Sequence, residues 1–212
     1  MRAVLGIVGL VLVLAAGLVL SREGPAGKTR EGYLLLAVSW TPSWCEAEGR
    51  ARGDDRCAQG SDAGWLVHGL WPQNDDGTWP EFCNSPHENP SRALTRRMQD
   101  VMGSSGLAAY QWRKHGSCSG LSPEAYFTAT RAAFEALRLP EIGGTVRPDQ
   151  VLAQVQAANP AIGADMAVAT CQGGMLREVR VCLSHDLTPQ ACDAEVLARQ
   201  CRSARVQAPT LN

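Results

Sequence analysis

Trp65-Leu66-Val67-His68-Gly69-Leu70-Trp71-Pro72-Gln73 reads as an extended strand with a titratable ring at its middle. The β-branched and aromatic residues suit a pleated, half-buried surface, while Gly69 and Pro72 predict that the strand breaks up just past His68. A second stretch, Gln111-Trp112-Arg113-Lys114-His115-Gly116-Ser117-Cys118, centres on another His-Gly pair, in a chain with 4 histidines. If Leu107 to about His115 is helical, Gln111 and His115 are four apart and face the same way, with Lys114 beside them. One helix face then presents an amide, an ammonium and an imidazole. Trp112 points roughly 100° away, toward the core, and Arg113 falls on the solvent side.

Around these two stretches the chain alternates strands and helices. Tyr33 to Trp40 is an apolar run too short for a typical helix and bounded by Thr41-Pro42, which predicts a strand buried on both faces. The Glu/Arg/Asp/Gly segment between Cys45 and Cys57 reads as an exposed loop closed by its own disulfide, and Asn74 to Asn84 as a second loop. Pro90 to Met102 predicts a helix capped by Ser91 and ended by Gly103-Ser104-Ser105-Gly106. Ser122-Pro123 opens another, with Tyr126, Ala129, Ala133, Phe134 and Leu137 at helical spacing and a stop before Pro140. Asp149 to Ala158 gives a short helix ended by Asn159-Pro160. Met166 to Cys171 and Leu176 to Cys182 form a hairpin through Gln172-Gly173-Gly174, with Val179 and Val181 on one face and Glu178 and Arg180 on the other. The expected fold class is α+β: a single domain with a central, mainly antiparallel sheet flanked by helices and stapled by disulfides.

Residues 1–20 hold one charge, at Arg2, followed by an almost unbroken apolar run, and predict a signal peptide or N-terminal anchor. Ala15, Ala16 and Gly17 offer a cleavage site. The run exceeds the roughly 7–15 residues of a usual signal, so a single membrane span is the other reading. Residues 21–31 read as a flexible lead-in, and 32–212 as the functional domain. The remaining length, about 190 residues, suffices for one domain burying roughly 70% of its unfolded surface. A formal net charge of −1 excludes a tight, non-specific nucleic-acid clamp, which needs a basic surface, but not an enzyme with a local basic site. The 8 cysteines are an even number behind an export segment and imply four disulfides. No Cys-x-x-Cys and no histidine pair at ligand spacing occurs, so neither a metal nor a cofactor is expected. Eight cysteines allow about 105 pairings, which the sequence does not choose between.

Two imidazoles with a lysine beside one are what cleavage of RNA through its own 2′-hydroxyl requires. One ring takes the proton of the hydroxyl, the other protonates the leaving 5′-oxygen, and the cation holds the phosphoryl charge. A Cys–His hydrolase using Cys118 within Gly116-Ser117-Cys118-Ser119-Gly120 is a rival that oxidised cysteines disfavour. His87 and His185 fall in loops and read as surface residues.

The two stretches resemble the active-site segments of the RNase T2 family, exported endoribonucleases of acid to neutral compartments. The first matches over Val67 to Pro72 and the second over Trp112 to Cys118. Similarity extends to Leu36 to Pro42, Asp76 to Cys83 and the last four cysteines, most of the chain after residue 32. The resemblance implies a metal-independent endoribonuclease on single-stranded RNA that leaves DNA uncut, forms a 2′,3′-cyclic phosphate and hydrolyses it to a 3′-phosphate. It implies His115 as general base, His68 as general acid and Lys114 as the phosphoryl-stabilising cation. Trp71, Gln73 and Trp79 fall at the family's base pocket, with Tyr110 beside them as a substrate-binding residue. The family's second segment usually opens His-Glu where this chain has Tyr110-Gln111. Gln111 can donate to a phosphoryl oxygen but cannot raise the pKa of His115 as a carboxylate would. A catalytically impaired relative that only binds RNA or protein is therefore the alternative. The resemblance further implies disulfides Cys83–Cys118, Cys171–Cys201, Cys182–Cys192 and Cys45–Cys57, export to the periplasm or medium, and a monomer that meets a membrane only if residues 1–20 stay attached.

Overall fold

The computed structural model describes residues 32–59, 61 and 63–210. The expected export segment and lead-in lie outside them. Six strands form one sheet: β1 (Tyr33–Trp40), β2 (Trp65–Gln73), β3 (Gly144–Val146), β4 (Ala167–Gln172), β5 (Met175–Leu183) and β6 (Val206–Ala208). Their order is β2-β1-β5-β6-β3, with β4 also on β5. Every pairing is antiparallel except a single parallel one between Met175 and Gln207. Gly173 and Gly174 turn the β4–β5 hairpin at φ of 59° and 76°, a left-handed pair that residues with a Cβ rarely adopt.

β1 alternates between two cores. Leu34, Leu36, Val38 and Trp40 enter the main one, whereas Tyr33 and Leu35 join Val168, Cys182 and Val196 on the opposite face. The helices are α1 (Thr41–Trp44), α2 (Arg92–Arg96), α3 (Gln99–Met102), α4 (Ser105–Lys114), α5 (Pro123–Ala136), α6 (Pro148–Ala158) and α7 (Ala194–Leu197). The main core gathers Leu94, Met102, Trp112, Tyr126, Phe127 and Val155 from α2 to α6 against the sheet. Ser91, Ser104 and Ser122 cap α2, α4 and α5 by accepting from Leu94, Leu107 and Ala125 amides at 3.2 Å each. Among the described residues no helix is long and apolar enough to cross a membrane.

Three local expectations are corrected. The segment from Cys45 to Cys57 is exposed and closed by its own disulfide as expected, but it is helical at both ends rather than loop throughout: Cys45–Gly49 makes a wide turn in which the Arg50 amide donates to the Cys45 carbonyl, and Asp55–Cys57 a tight one. Both turns bury their cysteines. The helix expected over Pro90 to Met102 is two, broken at Arg97-Met98, where the Arg97 carbonyl accepts from Arg131 Nη2 at 2.6 Å; within α2 the Thr95 hydroxyl also donates to the Arg92 carbonyl. β2 does not break past His68 but runs on to Gln73. It absorbs one extra residue instead: Val67 pairs with Val38 and Gly69 with Ala37, which leaves His68 unpaired in a bulge.

Disulfides join Cys45 to Cys57, Cys83 to Cys118, Cys171 to Cys201 and Cys182 to Cys192. Cys83–Cys118 ties the loop after β2 to the turn after α4. Replacing both of its cysteines by serine should lower the unfolding free energy by about 2–5 kcal/mol in urea denaturation; a change below about 1 kcal/mol would show that packing alone holds that loop.

Candidate active site

In a regular strand, residues three apart point to opposite faces. The bulge at His68 changes that count: Val67 and Leu70 both enter the main core, and His68 and Trp71 both turn to the other face. Their ring centroids lie 5.2 Å apart, edge to face. α4 packs against β2 and brings the second imidazole to the same indole, with the centroids of Trp71 and His115 also 5.2 Å apart. The two imidazoles therefore stand no further apart than about twice that distance, with Trp71 between them.

Both His-Gly pairs have a packing reason. A Cβ on Gly69 would lie 2.2 Å from Trp71 Nε1 and 2.3 Å from Gln111 Oε1, so only glycine leaves room for the 2.8 Å hydrogen bond that the indole donates to the amide. A Cβ on Gly116 would meet the ring of Trp112 at 2.6 Å. Each glycine lets a tryptophan pass close to the backbone beside a histidine.

All eight side chains that the sequence singled out line one cleft of about 400 Å³: His68, Trp71, Gln73, Trp79, Tyr110, Gln111, Lys114 and His115. They are not equally available. Trp79 and Tyr110 are 46% and 40% exposed, suited to stack on a ligand. Gln111 is buried beneath Trp71. Gln73 is also buried, and its amide donates to the Pro72 and Trp71 carbonyls. His115 sits one residue beyond the end of α4, not within it as expected, and its amide still donates to the Gln111 carbonyl.

Three charged residues of the site were not singled out by the sequence reading. Glu81 accepts from Lys114 Nζ at 3.0 Å and from Trp79 Nε1 at 3.1 Å through the same oxygen. Glu178 is buried behind His68, 2.7 Å from its Nδ1. Arg180 pairs with Glu178, and its guanidinium carbon lies 5.2 Å from the Trp71 ring centroid. The alternation Glu178-Val179-Arg180-Val181 does mark a charged face opposite the core. It carries no sign that a bulge on β2 will lay an imidazole over that face.

The buried carboxyl and the buried imidazole titrate in different surroundings. Burial alone would push the Glu178 carboxyl up, but the hydrogen bond from His68 and the charges of His68 and Arg180 hold it well below the usual carboxylate range. Burial lowers the pKa of His115 to about 4, helped by the charge of Lys114 and of His68 and opposed by Glu81. Its Nδ1 is buried without a partner, so no hydrogen bond at that nitrogen supports the charged form, and Glu81 offsets its burial only in part.

Elsewhere, Cys118 is in a disulfide, and the described residues include no free cysteine, which removes the thiol hydrolase reading. His87 is exposed; His185, expected at the surface, is half-buried with an unpartnered Nε2. Among the described residues no group of three or more His, Cys, Asp or Glu is placed to hold a metal ion.

Comparison with known proteins agrees with this architecture. The family model described as Ribonuclease T2 family matches residues 31–192. The chain is 32% identical over 128 residues to a protein of Haemophilus influenzae named probable ribonuclease, covering 55% of this chain and 47% of that protein. It is 31% identical over 122 residues to a ribonuclease of Aeromonas hydrophila, covering 58% and 53%. The matches thus span about half the length of these two relatives. Among solved structures, an RNase-related protein from Calystegia sepium superposes with a TM-score of 0.66 at 21% identity, over 86% of this chain and 100% of that one. RNase NT, solved in complex with 5′-AMP, superposes with a TM-score of 0.58 at 19% identity over 84% and 98%. These structural likenesses establish the fold.

The lowered pKa of His115 has a sign that can be tested. A histidine near 6.5 when unfolded and about 4 when folded makes the unfolded state bind more protons between those values. Its contribution to stability is whole above pH 6.5 and is lost as pH falls toward 4. NMR titration should place the midpoint of the His115 ring near 4; a midpoint near 6.5 would mean that the ring is solvated.

Proposed function

The chain belongs to the Ribonuclease T2 family, and from that premise and the geometry of the cleft we propose that it is an endoribonuclease acting on single-stranded RNA. The observation that carries this reading is the meeting of two imidazoles, an ammonium and exposed aromatic rings in one cleft.

In the first step His115, neutral above about pH 4, takes the proton of the 2′-hydroxyl. The 2′-oxygen attacks the adjacent phosphorus, the bond from phosphorus to the 5′-oxygen breaks, and His68 gives the leaving oxygen a proton. The product is a 2′,3′-cyclic phosphate. In the second step the rings exchange roles: His68 takes a proton from water, the water oxygen attacks phosphorus, and His115 protonates the 2′-oxygen to leave a 3′-phosphate. Lys114 balances the charge that gathers on the phosphoryl oxygens. Its ion pair with Glu81 aims it into the cleft and is half-exposed, so a phosphate can compete for it.

Trp79 and Tyr110 present ring faces on which a base can stack, worth about 1–3 kcal/mol per base. A base inside a duplex cannot reach them, which favours single-stranded substrate. Gln73 acts through its backbone and packing, since its amide is committed to carbonyls. The reaction needs no metal because each proton has a protein donor or acceptor. The four disulfides suit an exported, oxidised protein, consistent with a signal in residues 1–20 and a site of action in the periplasm or the medium. The protein works as a monomer, since one chain supplies every group the two steps use.

Incubation with RNA in EDTA should give oligonucleotides ending in cyclic phosphate, then 3′-phosphate, and the same protein should leave DNA intact for want of the 2′-hydroxyl. His115→Ala should lower the rate by about 10²–10⁴-fold. RNA left whole by the wild type from pH 4 to 8 would favour a domain that only binds. In the pH profile the acid limb should lie near pH 4, where His115 becomes protonated, and Gln111→Glu should move it upward by placing a carboxylate beside that ring. An unmoved limb in this variant would contradict the reading that an amide in place of a carboxylate at position 111 keeps the limb low.

A further inference from the structure

His68 does not stand on its strand alone. Its Nδ1 lies 2.7 Å from Glu178 Oε1, and the Ser39 hydroxyl donates to the same oxygen at 3.2 Å. The other oxygen of Glu178 receives Arg180 Nε at 2.8 Å and Nη2 at 2.7 Å. The Glu178 side chain is 2% exposed, so both oxygens find their partners inside the protein. Glu178 lies directly across from Ser39 on β1 and Thr170 on β4, in a strand paired along both edges. A carboxylate in that place is costly to bury, and neither core of the fold needs it.

We propose that Glu178 is a positioning residue for the general acid: its carboxylate keeps a proton on Nδ1 of His68 throughout the cycle, so that Nε2 alone exchanges protons with the substrate. This inference rests on the ribonuclease reading above. An ionised carboxylate only accepts hydrogen bonds, so the ring nitrogen facing it must be the donor. When His68 is doubly protonated, the carboxylate balances the cation. When Nε2 has passed its proton to the 5′-oxygen, Nδ1–H stays in place and Nε2 is left as the acceptor that the hydrolysis step requires. Arg180 completes the arrangement. It locks the far oxygen of Glu178, and it lies over Trp71, the ring packed against both imidazoles. The charged groups around the two imidazoles are Glu178 and Arg180 from β5, Lys114 at the end of α4, Glu81 from the loop after β2, and Glu195 and Arg199 from α7 and the residues after it; the neighbouring groove that His68 also lines adds Arg177 from β5 with Glu48, Arg52, Asp54 and Arg56.

The test uses leaving groups. RNA expels a 5′-alkoxide that must be protonated, whereas a nucleoside 3′-(4-nitrophenyl phosphate) expels a phenolate that leaves without a proton. If Glu178 acts through the acid, Glu178→Gln should lower kcat on RNA by roughly tenfold to a hundredfold, a part of what general acid catalysis supplies. It should change KM little and leave the aryl ester nearly as fast as with wild type. His68→Ala should show the same selectivity more strongly. The alkaline limb of the RNA profile should move to lower pH in Glu178→Gln, because the cationic acid has lost its counter-charge. If a thermal melt shows that this variant does not fold, Glu178→Asp is read by the same ratio of rates, with the same selective loss expected. Equal losses on both substrates, or no loss on RNA, overturn the inference and leave the ribonuclease standing. A wild type that cleaves neither substrate removes the ribonuclease reading and takes the inference with it.

Discussion

One unpaired residue in β2 sets the geometry of the cleft. Without the bulge at His68, the strand's two-residue period would send His68 and Trp71 to opposite sides of the sheet, and one of them would be lost in the helical core. With it, Val67 and Leu70 still anchor the strand in that core while the imidazole and the indole share the open face. Trp71 then acts as a spacer. Its ring packs against both histidines and beneath Arg180, and its nitrogen is fixed by Gln111, so α4 and β2 are registered against each other through one side chain. Gly69 is the condition for that contact, since any Cβ there would occupy the place of the hydrogen bond.

The electrostatics of the cleft treat the two imidazoles differently, and the proposed division of labour follows from that difference. His115 is enclosed, lacks a partner for Nδ1 and lies beside Lys114, an environment that keeps it neutral and able to accept a proton. His68 is about one-third exposed and backed by an ionised carboxylate, an environment that tolerates a cation able to give one up. On α4 Gln111 serves as a buried hydrogen-bond acceptor, while the acidic groups nearest the two rings come from β5 and from the loop after β2.

Much of the fold was legible because local signals and burial agree. The unbroken apolar run of Tyr33–Trp40 predicts a strand covered on both sides, Ser122-Pro123 the start of a helix, and Gly173-Gly174 a hairpin turn, and each is found. The failures fall where tertiary pairing overrides local preference. Gly69 and Pro72 read as strand breakers, yet pairing with β1 carries β2 past both and the irregularity appears one residue earlier. The polar segment between Cys45 and Cys57 looked like loop because its helical turns are short and outward-facing on all but a few positions. In the cleft, His68, Gln111, Lys114 and His115 were visible from two short stretches, and Trp71, Gln73 and Trp79 only through the family resemblance. Glu178 and Arg180 were not, because their part depends on which strand lies across from β5, a fact of topology that no local pattern records.

The central claim is that both imidazoles serve a single phosphorus atom. Its most direct test is an NMR titration of the histidine ring signals with a nucleoside 3′-monophosphate. The His68 and His115 signals should shift together along one saturation curve while His87 stays still. Shifts confined to one of the two rings, or curves that saturate at different concentrations, would contradict it.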